Sequence, residues 1–271
     1  MNTPLQRHID LPGLINFRDI GCYLATDTEG NQRQVKQGLL YRAGHFHDMN
    51  DAAIGALIDR HVELVVDFRS PKERAKKPSR FNSAFTPTTI ELELDPGSGT
   101  SFLKALPDIR NRDAALDVAT MERMMQQINR SLVTDHADVY RQFFNHLLNT
   151  TPAATVFHCA SGKDRTGVAA ALLLSALGVD RATVIEDYML TNSCLDVHHH
   201  VARAMADFDN RYQAIMQPEV LAAMYEVQPG YLSTAFDEID QQYGSIKHYL
   251  QQKMGLDRSG LEKLQQRYLA E

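Results

Sequence analysis

The chain has 271 residues, of which 44% are hydrophobic and 23% charged, which predicts one large domain, or a domain with an insertion, around a packed core. A formal net charge of -6 argues against a general nucleic-acid binder and against broad attraction to an anionic membrane, and leaves room only for a local basic patch. The three cysteines, Cys22, Cys159 and Cys194, form neither a disulfide framework nor a zinc spacing, and no apolar stretch approaches the roughly 18 residues of a membrane span. Residues 1–15 are polar and lack a signal-peptide core. A cytoplasmic start is expected, with export by a route that reads no N-terminal signal left open.

Residues 1–38 read as irregular, with short strands near Leu14-Ile15 and Tyr23-Leu24 and a turn at Asn16 to Gly21. Leu39 to Arg42 is a short strand, and Met49 to His61 has helical apolar spacing, capped by Asp48 or Asn50. Leu64 to Phe68 is a buried strand, after which Pro71 opens a helix. Thr89 to Leu94 alternates as a strand does, and Asp95 to Gly99 is a loop. Signals over 100–118 are weak, and partial order is expected there. Met121 to Leu148 reads as helix with a break near Asp135. Beyond residue 181 helices dominate: 182–189, 197–208, 218–225, 232–243, 246–254 and 260–270. Strands that alternate with helices, followed by a helical tail, predict a single α/β domain with a central, mainly parallel sheet flanked by helices.

The sharpest local signal is His158-Cys159-Ala160-Ser161-Gly162-Lys163-Asp164-Arg165-Thr166-Gly167. A partly β-branched run, Ala153 to Phe157, precedes it, and an Ala- and Leu-rich helical run, Val168 to Leu177, follows. The motif is therefore a tight loop between a buried strand and a helix N-terminus. Such a terminus offers unpaired N–H groups and a positive dipole end, which suit a phosphate dianion. Gly162 lets the amides of residues 158–163 turn inward as a nest, and Arg165 adds a planar fork for two phosphate oxygens. The same field favours the Cys159 thiolate, poised for in-line attack on phosphorus and a phosphocysteine intermediate. Thr166 is placed to hydrogen-bond the sulfur. A lone buried cysteine is usually packing, and a Gly-containing loop is common, but the whole string is far more specific.

The string also resembles the active-site signature of Cys-based protein tyrosine phosphatases. Its Lys163-Asp164 pair is similar to the His-Cys-x-x-Gly-Lys-Asp-Arg form of the bacterial atypical members, the group typified by mycobacterial protein tyrosine phosphatase B. Asn16 to Asp19, Tyr41-Arg42, Asp67 to Ser70, Asp187-Tyr188 and Tyr243 to Ser245 stand in the order that group shows, with 96–130 the least similar. The resemblance implies a phosphatase fold with a helical C-terminus and a helical lid over 196–228. It also implies a metal-free mechanism without cofactors. Activity on phosphotyrosine is implied, with phosphoserine, phosphothreonine and phosphoinositides in some members. The substrate is then a phosphoprotein or a phosphoinositide. The nucleophile falls on Cys159, the phosphate arginine on Arg165, and Lys163 on a lysine linked to acidic or inositol phosphate substrates.

Cleavage of a phosphomonoester needs a proton for the leaving oxygen. There is no tryptophan, hence no Trp-Pro-Asp loop. Two carboxylates stand open. Asp67 ends a buried strand and is slightly favoured; Asp164 lies in the loop itself. Their structural alternatives are pairing with an arginine such as Arg69 or Arg165, and ordering of the loop. Lys163 either binds substrate or is merely solvated. His158 organises the loop. His198 to His200 point about 100° apart on a helix and do not converge on a metal. Cys22 is a candidate for a reversible disulfide with Cys159.

Overall fold

The computed structural model describes residues 7–96, 116–149, 153–207 and 217–271. A five-stranded sheet is built from β1 (Arg18–Asp19), β4 (Leu40–Ala43), β7 (Ala154–His158), β5 (Val62–Asp67) and β6 (Thr88–Glu91), in that order. All neighbours are parallel except β1, which runs antiparallel to β4 at the edge. Parallel strands need crossovers that cover the sheet, and both faces are covered. Along β7, Ala154 and Val156 pack toward α1 (Asp51–Asp59), whereas Phe157 belongs to the larger core on the opposite face. That larger core collects α3 (Val118–Thr134), α4 (Ala137–Asn149) and α5 (Asp164–Leu177), and then α6 (Arg181–Met189), α10 (Pro229–Tyr243), α11 (Ile246–Met254) and α12 (Arg258–Tyr268). The expected α/β architecture with a mainly parallel central sheet and helical C-terminus is observed.

Local chemistry explains where the helices begin. Asn50, not Asp48, caps α1 by accepting from the Ala53 N–H at 3.0 Å. Ser70 and Glu73 form a reciprocal capping box at the start of α2 (Pro71–Lys76), with Pro71 inside the first turn. The helical run around Asp135 does break there, dividing α3 from α4. α5 is buried on nearly every side, which is why its sequence is apolar around its whole circumference. It ends at Gly178, whose φ of +89° and 1.9 Å approach of a would-be Cβ to the Thr26 carbonyl admit only glycine.

Three expectations are corrected. The region after the short strand read near Tyr23-Leu24 is not irregular throughout: β2 (Leu24–Thr26) and β3 (Gln32–Val35) form a second, antiparallel sheet with β8 (Leu269–Ala270). The last residues, read as helix from their spacing, leave the helix because Val35 and Gln34 pair with Leu269 and Ala270. Such long-range pairing carries no local signature. The helix after the motif begins at Asp164 rather than Val168, so that Arg165, Thr166 and Gly167 already lie in its first turn. Most of the weak segment 100–118 lies outside the described residues, except that Asp117 caps α3 through the Thr120 N–H at 2.7 Å.

Candidate active site

β4, β7 and β5 end side by side: Ala43 pairs with His158 and Asp67 with His158. Cys159 is the next residue after β7, at the carboxyl end of the sheet, where open α/β sheets place ligands. It is 2% exposed. The loop 159–163 then turns directly into α5. Gly162 has φ +69°, and a Cβ there would meet the Ala43 carbonyl at 2.4 Å, so the loop lies pressed against β4. Ala160 and Ser161 are half-buried, and the Ala160 carbonyl accepts from the His45 N–H at 3.0 Å.

Arg165 is held in a fixed pose. Its Nη1 and Nη2 donate to the two carboxylate oxygens of Glu73, both at 2.7 Å, and Nη1 also donates to the Leu94 carbonyl at 3.1 Å. Burial opposes the guanidinium charge, but Glu73 and the field of Cys159 outweigh it and keep Arg165 firmly protonated. On Glu73, burial likewise favours the acid, and the Arg165 fork overcomes it and holds the carboxyl below its ordinary value. The Tyr140 hydroxyl donates to the Arg165 carbonyl at 2.9 Å. Thr166 Oγ1 is buried and has no hydrogen-bond partner among the described residues.

The two carboxylates that could handle a proton occupy different surroundings. Asp67 is 2% exposed, and Arg69 engages both its oxygens, Nε to Oδ1 at 2.9 Å and Nη2 to Oδ2 at 2.6 Å. Burial pushes its carboxyl up, but the neighbouring His158 and the Arg69 fork prevail and hold it below the ordinary carboxylate value. Asp164 is more open. Its Oδ1 accepts from Asn129 Nδ2 at 3.3 Å, and its Oδ2 lies 3.5 Å from Lys163 Nζ.

His158 is fully buried. Its Nδ1–H donates to the Cys159 carbonyl at 3.1 Å, and its Nε2 stands 3.6 Å from Asp67 Oδ2. Burial drives the ring down to about 4 against the pull of Asp67, so it is neutral at pH 7. Lys163, read as substrate-binding or solvated, is neither exposed nor without partners. Its ammonium, buried with its residue 3% exposed, donates to the Met224 carbonyl and, at 3.3 Å, to the Glu226 carbonyl. These carbonyls lie at the carboxyl end of α9 (Pro218–Tyr225). That helix packs with α8 (Val197–Asp207) on α3, through Met121, Val220, Leu221 and Met205. Arg203 is exposed on the other face of α8, away from Met205, and the His200 ring stacks on Tyr225 at 5.5 Å.

The Cys22–Cys159 disulfide is ruled out by topology. Ile20 bonds to Leu40, and Cys22 to Val35, beyond the end of β4 opposite Ala43, which is level with His158. The length of β4 alone is about 10 Å, more than a disulfide spans. Glu73 was not anticipated as a site residue. Its cap role was legible in Ser70-Pro71-x-Glu73, but nothing local signals that it also faces Arg165, 92 residues away.

The model of the tyrosine phosphatase family matches residues 9–270. The chain is 30% identical over 258 residues to a Cupriavidus necator protein that carries a tyrosine-protein phosphatase name, covering 94% of this chain and 86% of that one. It is 29% identical over 277 residues to the triple specificity protein phosphatase PtpB of Mycobacterium tuberculosis, covering 89% of this chain and 92% of that one. A tyrosine-protein phosphatase of Nostoc commune is 25% identical over 236 residues, 81% of this chain and 70% of that one.

Proposed function

The chain belongs to the tyrosine phosphatase family, and on that premise we propose that it hydrolyses phosphomonoesters, chiefly phosphotyrosine in proteins, through a phosphocysteine intermediate on Cys159. The observation that carries this reading is the pairing of a buried cysteine at a strand end with an arginine in the next helix's first turn, its fork fixed by Glu73 at 2.7 Å. The Cys159 thiolate attacks phosphorus as the ester P–O bond breaks, and an acid protonates the leaving oxygen. A water then attacks the phosphocysteine, giving up a proton to the same group, and the S–P bond breaks to release inorganic phosphate. Thr166, with its unpartnered buried hydroxyl, stabilises the departing sulfur.

Asp164 takes the acid and base role. It is the more exposed of the two candidates and belongs to the loop itself. Asp67, held ionised by Arg69, is poorly suited to donate a proton near pH 7 and instead orders the strand end. Residues 158 and 160–162 supply the phosphate nest, as the loop geometry favours. The chain is read as one phosphatase domain, 1–271, with 196–228 as a helical lid. Support comes from the described helices α8 and α9, which pack together on α3, and from the Lys163 contact to α9.

A second reading, a phosphoinositide phosphatase, draws on the cations near Lys77. Lys77 is lowered by burial and by the crowding of Arg203, Lys76 and Arg69, with Asp48 opposing. These cations, grouped on an otherwise acidic chain, suit a polyphosphorylated headgroup, and the Asp48 carboxylate 3.9 Å from Lys77 Nζ partly offsets them. The deciding experiment is hydrolysis of a phosphotyrosine peptide and a phosphoinositide panel in EDTA, with Cys159→Ser beside the wild type. Turnover in EDTA that Cys159→Ser abolishes is expected; turnover retained in Cys159→Ser refutes the cysteine mechanism. In the same series Asp164→Asn should remove the basic limb of the pH–rate profile, with a larger loss on phosphotyrosine than on nitrophenyl phosphate. If Asp67→Asn does this instead, the assignment is reversed.

A further inference from the structure

Beneath the loop lies a buried polar assembly that the reaction steps above do not use. The Asn16 side-chain amide donates to the carbonyls of Ser161, at 3.1 Å, and Gly162, at 2.8 Å. Arg42 Nη2 donates to the same Gly162 carbonyl at 2.9 Å and to the Lys163 carbonyl at 3.4 Å. Arg42 Nη1 is paired with Asp187 Oδ2 at 2.7 Å, and Arg18 Nε with Asp187 Oδ1 at 3.3 Å. Arg18 Nη1 closes the ring by donating to Asn16 Oδ1. Asn16, Arg18 and Arg42 are 0% exposed and Asp187 is 1% exposed.

Two features set this assembly apart from ordinary core polarity. The first is its direction. Every donor that reaches the loop engages a carbonyl, on three successive residues. A peptide plane whose oxygen is drawn to one side presents its N–H to the other. The assembly therefore turns the loop's carbonyls away from the phosphate position and leaves its amides free to face it, as an anion nest requires. The second is its charge. Two guanidiniums meet one carboxylate, leaving a surplus positive charge out of water, and Arg42 Nε has no partner among the described residues. An uncompensated buried charge is costly. A dianion bound on the far side of the loop offsets that cost, so the surplus favours the occupied site over the empty one.

Asn16 also reads as chosen for two properties at once. Its φ is +57°, a left-handed conformation that asparagine tolerates better than most residues, and its amide supplies the two donors. From these observations, and resting on the phosphatase reading above, we infer that Asn16, Arg42, Arg18 and Asp187 are positioning residues. They fix the phosphate loop with its amides inward and lend it positive charge, so that their loss weakens phosphate binding and turnover beyond any effect on folding.

The test uses the full chain with inorganic phosphate as the probe. Asn16→Gly keeps the left-handed φ and deletes the amide; Asn16→Asp keeps the acceptor for Arg18 and deletes both donors. Each should bind phosphate about tenfold more weakly or worse, since one hydrogen bond of about 1.4 kcal/mol is already worth that factor, and kcat on an aryl phosphate should fall with it. Melting temperature is recorded in parallel. Arg42→Lys, which retains the charge, should lose less phosphate affinity than Arg42→Met. A folded Asn16→Gly whose phosphate dissociation constant and kcat stay within about twofold of wild type overturns the inference, whatever its melting temperature. Equal losses in Arg42→Lys and Arg42→Met overturn the charge component. A wild type that neither binds phosphate nor turns over ester refutes the phosphatase reading itself, an outcome distinct from either.

Discussion

Replacing His158 by glutamine should flatten one part of the protein's pH–stability curve. The ring is entirely buried, and burial lowers it from 6.5 to about 4. Between those values the unfolded chain binds a proton that the folded chain refuses. The unfolded state then holds more protons, so stability rises with pH across this window and is lost as pH falls from about 6.5 toward 4. Above 6.5 both states are neutral and the penalty vanishes. The full difference is worth about 3 kcal/mol, of the same order as the drop a large core truncation causes. Glutamine can still donate to the Cys159 carbonyl but cannot titrate. Urea unfolding at several pH values from 7.5 to 4.5, on both proteins, isolates His158 and its 3.6 Å neighbour Asp67, because all other groups contribute alike. The wild type should lose stability relative to His158→Gln as pH falls. A difference that stays constant across the series would refute the claim that His158 is held neutral in the fold.

Two other expectations follow from the loop's cations. Glu73→Gln keeps an acceptor for the capping box of α2 but removes the charge from the Arg165 fork, so kcat on an aryl phosphate should fall at least tenfold; tighter phosphate binding would instead mean that Glu73 competes with substrate for Arg165. Lys163→Met keeps the chain's length but loses the bonds to the Met224 and Glu226 carbonyls, and hydrogen exchange in α9 should speed up about tenfold, while unchanged exchange would deny Lys163 any hold on that helix.

The parts of this molecule legible in sequence are those with local causes. The strand read at Leu64 to Phe68 and found at Val62–Asp67, the break near Asp135, the cap read at Asp48 or Asn50 and the strand–loop–helix around Cys159 each announce themselves within a few residues. What local sequence does not announce is mostly long-range. Pro71 reads correctly as a helix start, yet the carboxylate of Glu73 in that helix's first turn faces an arginine across the site. Lys163 reads as a substrate-binding or solvated cation on a loop because the carbonyls it meets lie 61 and 63 residues downstream. Asp67 reads as a candidate for proton transfer from its strand-end position, and pairing with Arg69, two residues on, is the structural alternative that the sequence also offers; in the fold Arg69 engages both its oxygens. The second sheet is hidden for the same reason: β8 is a strand only because β3 is beside it.

The assembly under the phosphate loop ties residues that enter the world at very different moments. The Asn16 bond to Gly162 spans 146 residues, and those joining Arg42 and Arg18 to Asp187 span 145 and 169. A chain emerging from the ribosome has its amide clamp waiting long before the loop exists, and its counter-carboxylate arrives later still. Closing connections of this length is slow relative to local structure. The loop must therefore take its working shape among the last events of folding, and no N-terminal fragment ending before Asp187 should hydrolyse an ester. Chemical competence therefore waits on Asp187, and a growing polypeptide that has not reached it carries Cys159 without a finished phosphate loop around it.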